Sequence, residues 1–101
     1  MFHPCKITVV KKGFDDELVN AYLENPERMK ICDRVEENQE YLVSDPFEMP
    51  DNFCAWAWAD IRPSILTIAT GGEFDIMINK KSTLAICTDP FRPVVFKIER
   101  V

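Results

Sequence analysis

One stretch near the middle of the chain constrains the fold more than any other. Residues 53–59 read Phe-Cys-Ala-Trp-Ala-Trp-Ala, and Asp60 follows them. The stretch holds both tryptophans, and its three alanines have the highest helix propensity of any residue. A helix that is apolar on every side is buried on most of them. The sequence therefore predicts a buried central helix, capped by Asp51 or Asn52, around which the rest of the chain packs.

Pro63 limits how far this helix can run. A proline has no N–H to donate to the carbonyl four residues earlier, which here belongs to Ala59. We therefore expect the helix either to kink or to end at Pro63, which would then begin a second helix. Apolar residues continue the stripe to Ala69, and Gly71 is suited to the position after a helix C-terminus.

Alternating apolar residues predict four strands, at residues 6–11, 40–44, 83–88 and 94–100. The proline-containing segment between the last two predicts a hairpin turn. A short helix begins at Asp16, with Asp15 as its N-cap. Residues 73–81 fit an edge strand, a short helix or a 3₁₀ turn. The predicted fold is one α+β domain over residues 1–101, with about four mainly antiparallel strands packed by the central helix and the short N-terminal helix.

Composition narrows the class of protein. Hydrophobic residues make up 47% of the chain, as in globular proteins, and 12 basic against 17 acidic side chains leave a net charge of −5. An acidic surface repels phosphate backbones, so we expect no nucleic-acid partner. Asp60 and Pro63 interrupt the longest apolar stretch, so we expect no membrane span. With no secretory leader at the N-terminus, a cytoplasmic location is expected.

The four cysteines are widely spaced, at Cys5, Cys32, Cys54 and Cys87. In a cytoplasmic protein they should be reduced. No C-x-x-C pair is present, so the local sequence indicates neither a zinc ribbon nor a thioredoxin-type dithiol. On spacing alone, the simplest interpretation is that these side chains are small buried hydrophobes.

Several motifs follow one another along nearly the whole chain. They are Glu-Asn-Gln-Glu-Tyr at residues 37–41, Cys-Ala-Trp-Ala-Trp-Ala-Asp at 54–60, Gly-Gly at 71–72, Cys-Thr-Asp at 87–89 and Arg-Pro-Val-Val-Phe-Lys-Ile-Glu-Arg at 92–100. In these motifs the chain resembles an uncharacterised family of small prokaryotic proteins with no assigned function. The family usually has glycine where this chain has Asn38, and asparagine also tolerates a positive φ.

The resemblance singles out Cys32, Cys54 and Cys87. If these three thiols converge, they could hold zinc or an iron–sulfur cluster, or act as a redox relay. Cys54 lies in the first turn of the predicted central helix, where the helix dipole favours a thiolate, so it is the best nucleophile or ligand. The spacing indicates no fourth metal ligand. We therefore predict no cofactor, with zinc or an iron–sulfur cluster as the alternative.

Four other residues are candidates for a site. Asp60 is the lone acid on an apolar helix and needs a partner if it is buried, for which Arg92 or Arg100 are suitable. Asp60 and Arg92 are therefore a candidate polar site. Trp56 and Trp58 indicate core packing or an interface.

Two functions remain open at this point. The first is a non-enzymatic domain that associates with itself or with another protein. The acidic surface, the lack of a catalytic motif and the tryptophan-rich helix favour it. The second is a cysteine-based metal-binding or thiol redox protein that uses Cys32, Cys54 and Cys87. Of the two, the sequence favours association without catalysis.

Overall fold

The structure, a computed structural model, describes residues 2–101. Its elements, in chain order, are β1 (Cys5–Lys12), α1 (Asp16–Tyr22), a 3₁₀ turn (Pro26–Arg28), β2 (Glu40–Val43), α2 (Ala55–Ala69), β3 (Ser82–Ile86) and β4 (Val94–Arg100). The predicted α+β class and the four strands are confirmed. Residues 73–81, for which the sequence left a strand, a short helix or a 3₁₀ turn open, form turns.

All four strands belong to one antiparallel sheet with the order β2-β1-β4-β3. β3 and β4 form the predicted hairpin, and β4 has the predicted bounds. A bulge between Val9 and Lys11 shifts the register of β1 against β4. The turn before β2 uses Asn38 with φ of 70°, which confirms that asparagine serves in this left-handed position.

One face of the sheet forms the core with α2. Ile7 and Phe96 stand on the two central strands, and Ile61 and Ile65 face them from the helix; all four are almost fully buried. Burying such a side chain contributes about 1.5–3 kcal/mol, so this layer accounts for much of the stability. On the opposite face, charged residues mix with exposed apolar ones such as Leu42.

α2 starts at a different residue from either predicted cap, and of the two outcomes predicted at Pro63, a kink or an end, the end does not occur. Its N-cap is Cys54, not Asp51 or Asn52. Asn52 instead adopts a φ of 64° in a turn that directs Phe53 into the core, where it is 3% exposed. The helix also continues through Pro63 without ending there. Pro63 cannot donate a hydrogen bond to the carbonyl of Ala59. Both residues lie on the exposed side of the helix, where water can donate to that carbonyl.

The central helix is buried along one stripe, so the prediction of burial on most sides is wrong. Its buried residues are spaced by three or four, as in an amphipathic helix: Ala57, Ile61, Ile65, Ile68 and Ala69. Trp56, on another side, is 53% exposed. The sheet offers only one layer for the helix to pack on, so Ala55, Ala59 and Trp56 remain at the surface.

The C-terminus of α2 is held by the last strand. Arg100 donates its Nε to the carbonyl of Ile68 at 3.0 Å and a terminal nitrogen to that of Gly72. The carbonyl of Ile68 belongs to the last turn of the helix, where a cation is favoured, and Gly72 lies two residues beyond the C-cap Thr70. Gly71 follows the cap residue with φ of 95°, as predicted for that glycine.

Candidate thiol site

Cys32, Cys54 and Cys87 line one cavity of about 180 Å³. We call it the thiol cavity. Three separate segments bring the cysteines there: the polar loop before β2, the start of α2, and the end of the hairpin strand β3. All three side chains are partly buried, and all three cysteines are free thiols. The rest of the lining is mainly apolar and includes Val35, Ala55, Trp56, Ala57, Val94 and Phe96.

Cys54 holds its position because of the aromatic packing beside it. Phe53 packs edge-on against Tyr41 at 4.8 Å and against Trp58 at 6.3 Å, measured between ring centroids. It thereby anchors the chain just before the helix. Burial raises the pKa of the Tyr41 phenol, and the nearby Cys54 sulfur adds to this rise. Trp58 therefore belongs to the core packing that the sequence predicted, beneath the thiol cavity.

The start of α2 presents unsatisfied donors beside Cys54. No side chain caps this end of the helix, and the first intrahelical bond runs from the N–H of Trp58 to the carbonyl of Cys54. The N–H groups of Ala55, Trp56 and Ala57 have no acceptor among residues 2–101. Together they form the positive end of a 15-residue helix, which stabilises negative charge placed close to it.

Cys87 is held inside the hairpin loop by two contacts. Its sulfur accepts a hydrogen bond from the N–H of Val94 at 3.3 Å, and its S–H lies 3.9 Å from the carbonyl of Arg92. The hairpin therefore fixes the direction of the Cys87 side chain.

Lys12 fixes the loop that carries Cys32. Its ammonium group donates to the carbonyl of Cys32 at 2.9 Å and to that of Val35 at 3.0 Å. The Lys12 side chain is only 11% exposed, so these bonds are shielded from water. A loop without regular secondary structure thus acquires a defined position at the edge of the cavity.

Asp60 does not pair with either predicted arginine. One of its carboxylate oxygens accepts hydrogen bonds from the N–H of Thr88 at 2.7 Å and from the Thr88 hydroxyl at 3.0 Å. The same hydroxyl oxygen accepts a bond from the indole N–H of Trp56 at 2.7 Å. This network joins α2 to the residue that follows Cys87.

Arg92 pairs with Asp89 within the hairpin loop, at 3.0 Å from Nε to Oδ2. Burial alone would raise the pKa of the Asp89 carboxyl. Hydrogen bonds from the N–H groups of Phe91 and Arg92, together with the guanidinium, outweigh burial and lower it. Arg92 lines the thiol cavity and Asp60 does not, so the structure does not bring the two predicted polar residues to one place.

Several residues of the site carried no signal in the sequence. Arg34 lines the cavity from a loop of mixed charge, Thr88 sits beside a turn, and Lys12 belongs to a pair of surface-like lysines. Their roles come from contacts between segments far apart in the chain. The Cys-Thr-Asp motif was the one local indication that Thr88 stands near a thiol.

Cys5 lies apart from the other three thiols. It is fully buried in the core between β2 and β4, and burial raises the pKa of its thiol, an effect that the charge of Arg100 partly offsets. Among residues 2–101, no three His, Cys, Asp or Glu side chains are arranged to hold a metal ion.

In the described part of the chain, neither helix combines the length and hydrophobicity needed to cross a membrane. Comparison of the chain with protein-family models, with curated proteins and with solved structures gave no match.

Proposed function

We propose that the protein carries out thiol–disulfide chemistry at the thiol cavity. The observation that supports this most strongly is that three cysteines from three distant segments line one cavity of about 180 Å³. The cavity is large enough to admit a small molecule, which would then lie beside three thiols that can react with it. Cys54 stands at the start of α2 beside three backbone N–H groups that have no acceptor among residues 2–101, and the hairpin loop holds the Cys87 sulfur in a fixed direction.

Cys54 is the attacking thiol in this proposal. Its thiolate attacks one sulfur of a disulfide RSSR, which forms a mixed disulfide and releases RS⁻. A second cavity thiol, Cys87 or Cys32, then attacks the Cys54 sulfur and releases the second RS⁻. The protein loses two electrons and forms one disulfide, and the substrate gains the two electrons and, with two protons, becomes two thiols.

The proposal is tested with the fully reduced protein under anaerobic conditions. Bis(hydroxyethyl) disulfide is added in excess, and released mercaptoethanol and remaining protein thiols are counted. We expect two equivalents of mercaptoethanol per chain and the loss of two protein thiols. Cys54→Ala should slow the first step strongly, while Cys5→Ala, which changes a cysteine outside the cavity, should react like the unaltered protein.

Three results would overturn this proposal. The first is a reaction no faster than that of the urea-unfolded chain, and the second is a reaction that Cys54→Ala leaves unchanged. The third is about one zinc or iron per chain in the anaerobic preparation, bound tightly enough to block the thiols, because the cysteines would then be ligands.

Association with a second copy of the chain is a second candidate function. The sheet face opposite α2 exposes Leu42, Leu84 and Ile86 by 61%, 52% and 53%. On the same face, two lysines alternate with two glutamates, Lys6 and Lys97 with Glu40 and Glu99. A copy rotated by a half-turn can set lysines against glutamates, so the face complements itself.

Sedimentation of the protein over a range of concentrations tests this association. A dimer that Leu84→Lys converts to a monomer would support it, with Ile76→Lys as the control, because Ile76 is exposed outside the sheet. A monomer at every concentration, or a dimer that survives Leu84→Lys, would contradict it.

A further inference from the structure

The polar groups that line the thiol cavity and remain free are almost all donors. Arg34 takes part in none of the salt bridges among residues 2–101. Arg92 uses its Nε on Asp89, which leaves its two terminal nitrogens without partners. The unsatisfied N–H groups at the start of α2 belong to residues 55–57, which also line the cavity.

Asp89 is the one carboxylate in the lining, and both of its oxygens already accept hydrogen bonds. Asp89 accepts hydrogen bonds from the N–H groups of Phe91 and Arg92 on one oxygen and from the Arg92 guanidinium on the other. Its charge is therefore balanced by Arg92. The free guanidinium of Arg34 and the helix start leave the cavity locally positive, although the chain as a whole has a net charge of −5.

We infer that the disulfide reduced at the thiol cavity is a small molecule bearing carboxylate or similar anionic groups. The inference rests on the thiol–disulfide function proposed above. A negatively charged group can pair with Arg34 and the free face of Arg92 while the sulfur atoms meet Cys54 at the helix start. The apolar side chains of Val94 and Phe96, which also line the cavity, can pack against the short carbon chain between the charged group and the sulfur atoms.

Three disulfides of similar size and different charge test the inference. Dithiodipropionate carries two carboxylates, bis(hydroxyethyl) disulfide is neutral, and cystamine carries two ammonium groups. Each rate of reaction with the reduced protein is divided by the rate of the same disulfide with the urea-unfolded chain. This ratio removes differences in the intrinsic reactivity of the three disulfides.

We expect the largest ratio for dithiodipropionate and the smallest for cystamine. Arg34→Gln should lower the dithiodipropionate ratio by roughly threefold to tenfold at low salt, an effect of one lost charge in a partly exposed site. High salt should reduce the difference between Arg34→Gln and the unaltered protein, because the electrostatic screening length falls to about 3 Å at 1 M. Arg28→Gln, which removes an equal charge from an exposed position outside the cavity, should leave all three ratios unchanged.

The possible failures are distinguishable. Equal ratios well above one for the three disulfides, or a preference for cystamine, would overturn the anionic substrate and leave the thiol–disulfide function standing. Ratios near one for all three would overturn the proposed function itself, and the inference with it. An equal loss in Arg34→Gln and Arg28→Gln would show that net charge, and not the cavity, sets the preference, and would also overturn the inference.

Discussion

The carboxylate of Asp60 on α2 accepts two hydrogen bonds from Thr88, one from its N–H at 2.7 Å and one from its hydroxyl at 3.0 Å. Thr88 follows Cys87 directly, and α2 begins at Cys54. The contact therefore fixes the distance between two of the three segments that form the thiol cavity. It also gives a charged group on the helix the partners that it needs.

Replacing Asp60 by alanine removes both bonds and leaves the Thr88 N–H without its acceptor. We expect a loss of about 1–2 kcal/mol in the free energy of unfolding, at the lower end for charged hydrogen bonds because the site is partly exposed. Urea unfolding followed by tryptophan fluorescence measures it. Asp51→Ala, which removes an exposed carboxylate, is the matched control and should cost less than about 0.5 kcal/mol. Equal losses in the two variants would contradict the account.

Asp89 should make stability depend on pH. Its pKa is lowered in the folded protein, so its contribution is fully present above the unfolded pKa near 4 and is lost as the pH falls through the folded value. Asp89→Asn should therefore be less stable than the unaltered protein at pH 7, and the gap should narrow towards pH 3. Denaturant unfolding at the two pH values measures this. A gap that is constant with pH would rule out the charge of Asp89 as the cause.

Arg100 and Lys97 lie three positions apart on β4, and replacing them should have very different effects on the free energy of unfolding. Arg100→Met removes the guanidinium from the C-terminal carbonyls of α2, and we expect a loss of about 1–3 kcal/mol. Lys97→Met breaks a partly exposed ion pair with Glu99 and should cost at most about 1 kcal/mol. Thermal or urea unfolding compares them. A larger loss for Lys97→Met would mean that the guanidinium does not hold the helix end.

Position 72 has no room for a side chain, because the backbone at Gly72 lies against the last turn of α2. A Cβ at this position would lie 2.7 Å from the methyl carbon of Thr67 and 2.8 Å from its carbonyl oxygen. Gly72→Ala should therefore destabilise the protein by about 1–3 kcal/mol, as overpacking does. Adding Thr67→Ser removes the methyl clash and leaves the carbonyl clash, so stability should return only in part. Full recovery in the double variant would show that the backbone carbonyl contact is unimportant.

Local signals in the sequence were enough to place most elements. Alternation located the strands, Asp15 accepts a bond from the N–H of Leu18 as its N-cap position predicts, and Asn38 takes a positive φ. Each of these features depends on residues that are close together in the chain. Such signals do not depend on how the elements later pack.

The remaining features depend on contacts between distant segments. Cys54 becomes the N-cap because Phe53 packs against Tyr41 and Phe96, which lie on two different strands. The partner of Asp60 depends on where the end of β3 meets α2. The meeting of three cysteines at one cavity follows from the same packing, which no spacing along the chain reveals.

The disulfide formed within the cavity is the decisive test of thiol–disulfide chemistry by this protein. The reduced protein is oxidised with excess bis(hydroxyethyl) disulfide, digested without reduction and mapped by mass spectrometry. The account predicts one intramolecular disulfide that joins two of Cys32, Cys54 and Cys87, with Cys5 still a free thiol. A disulfide that includes Cys5, a bond only between separate chains, or no protein disulfide at all would contradict it.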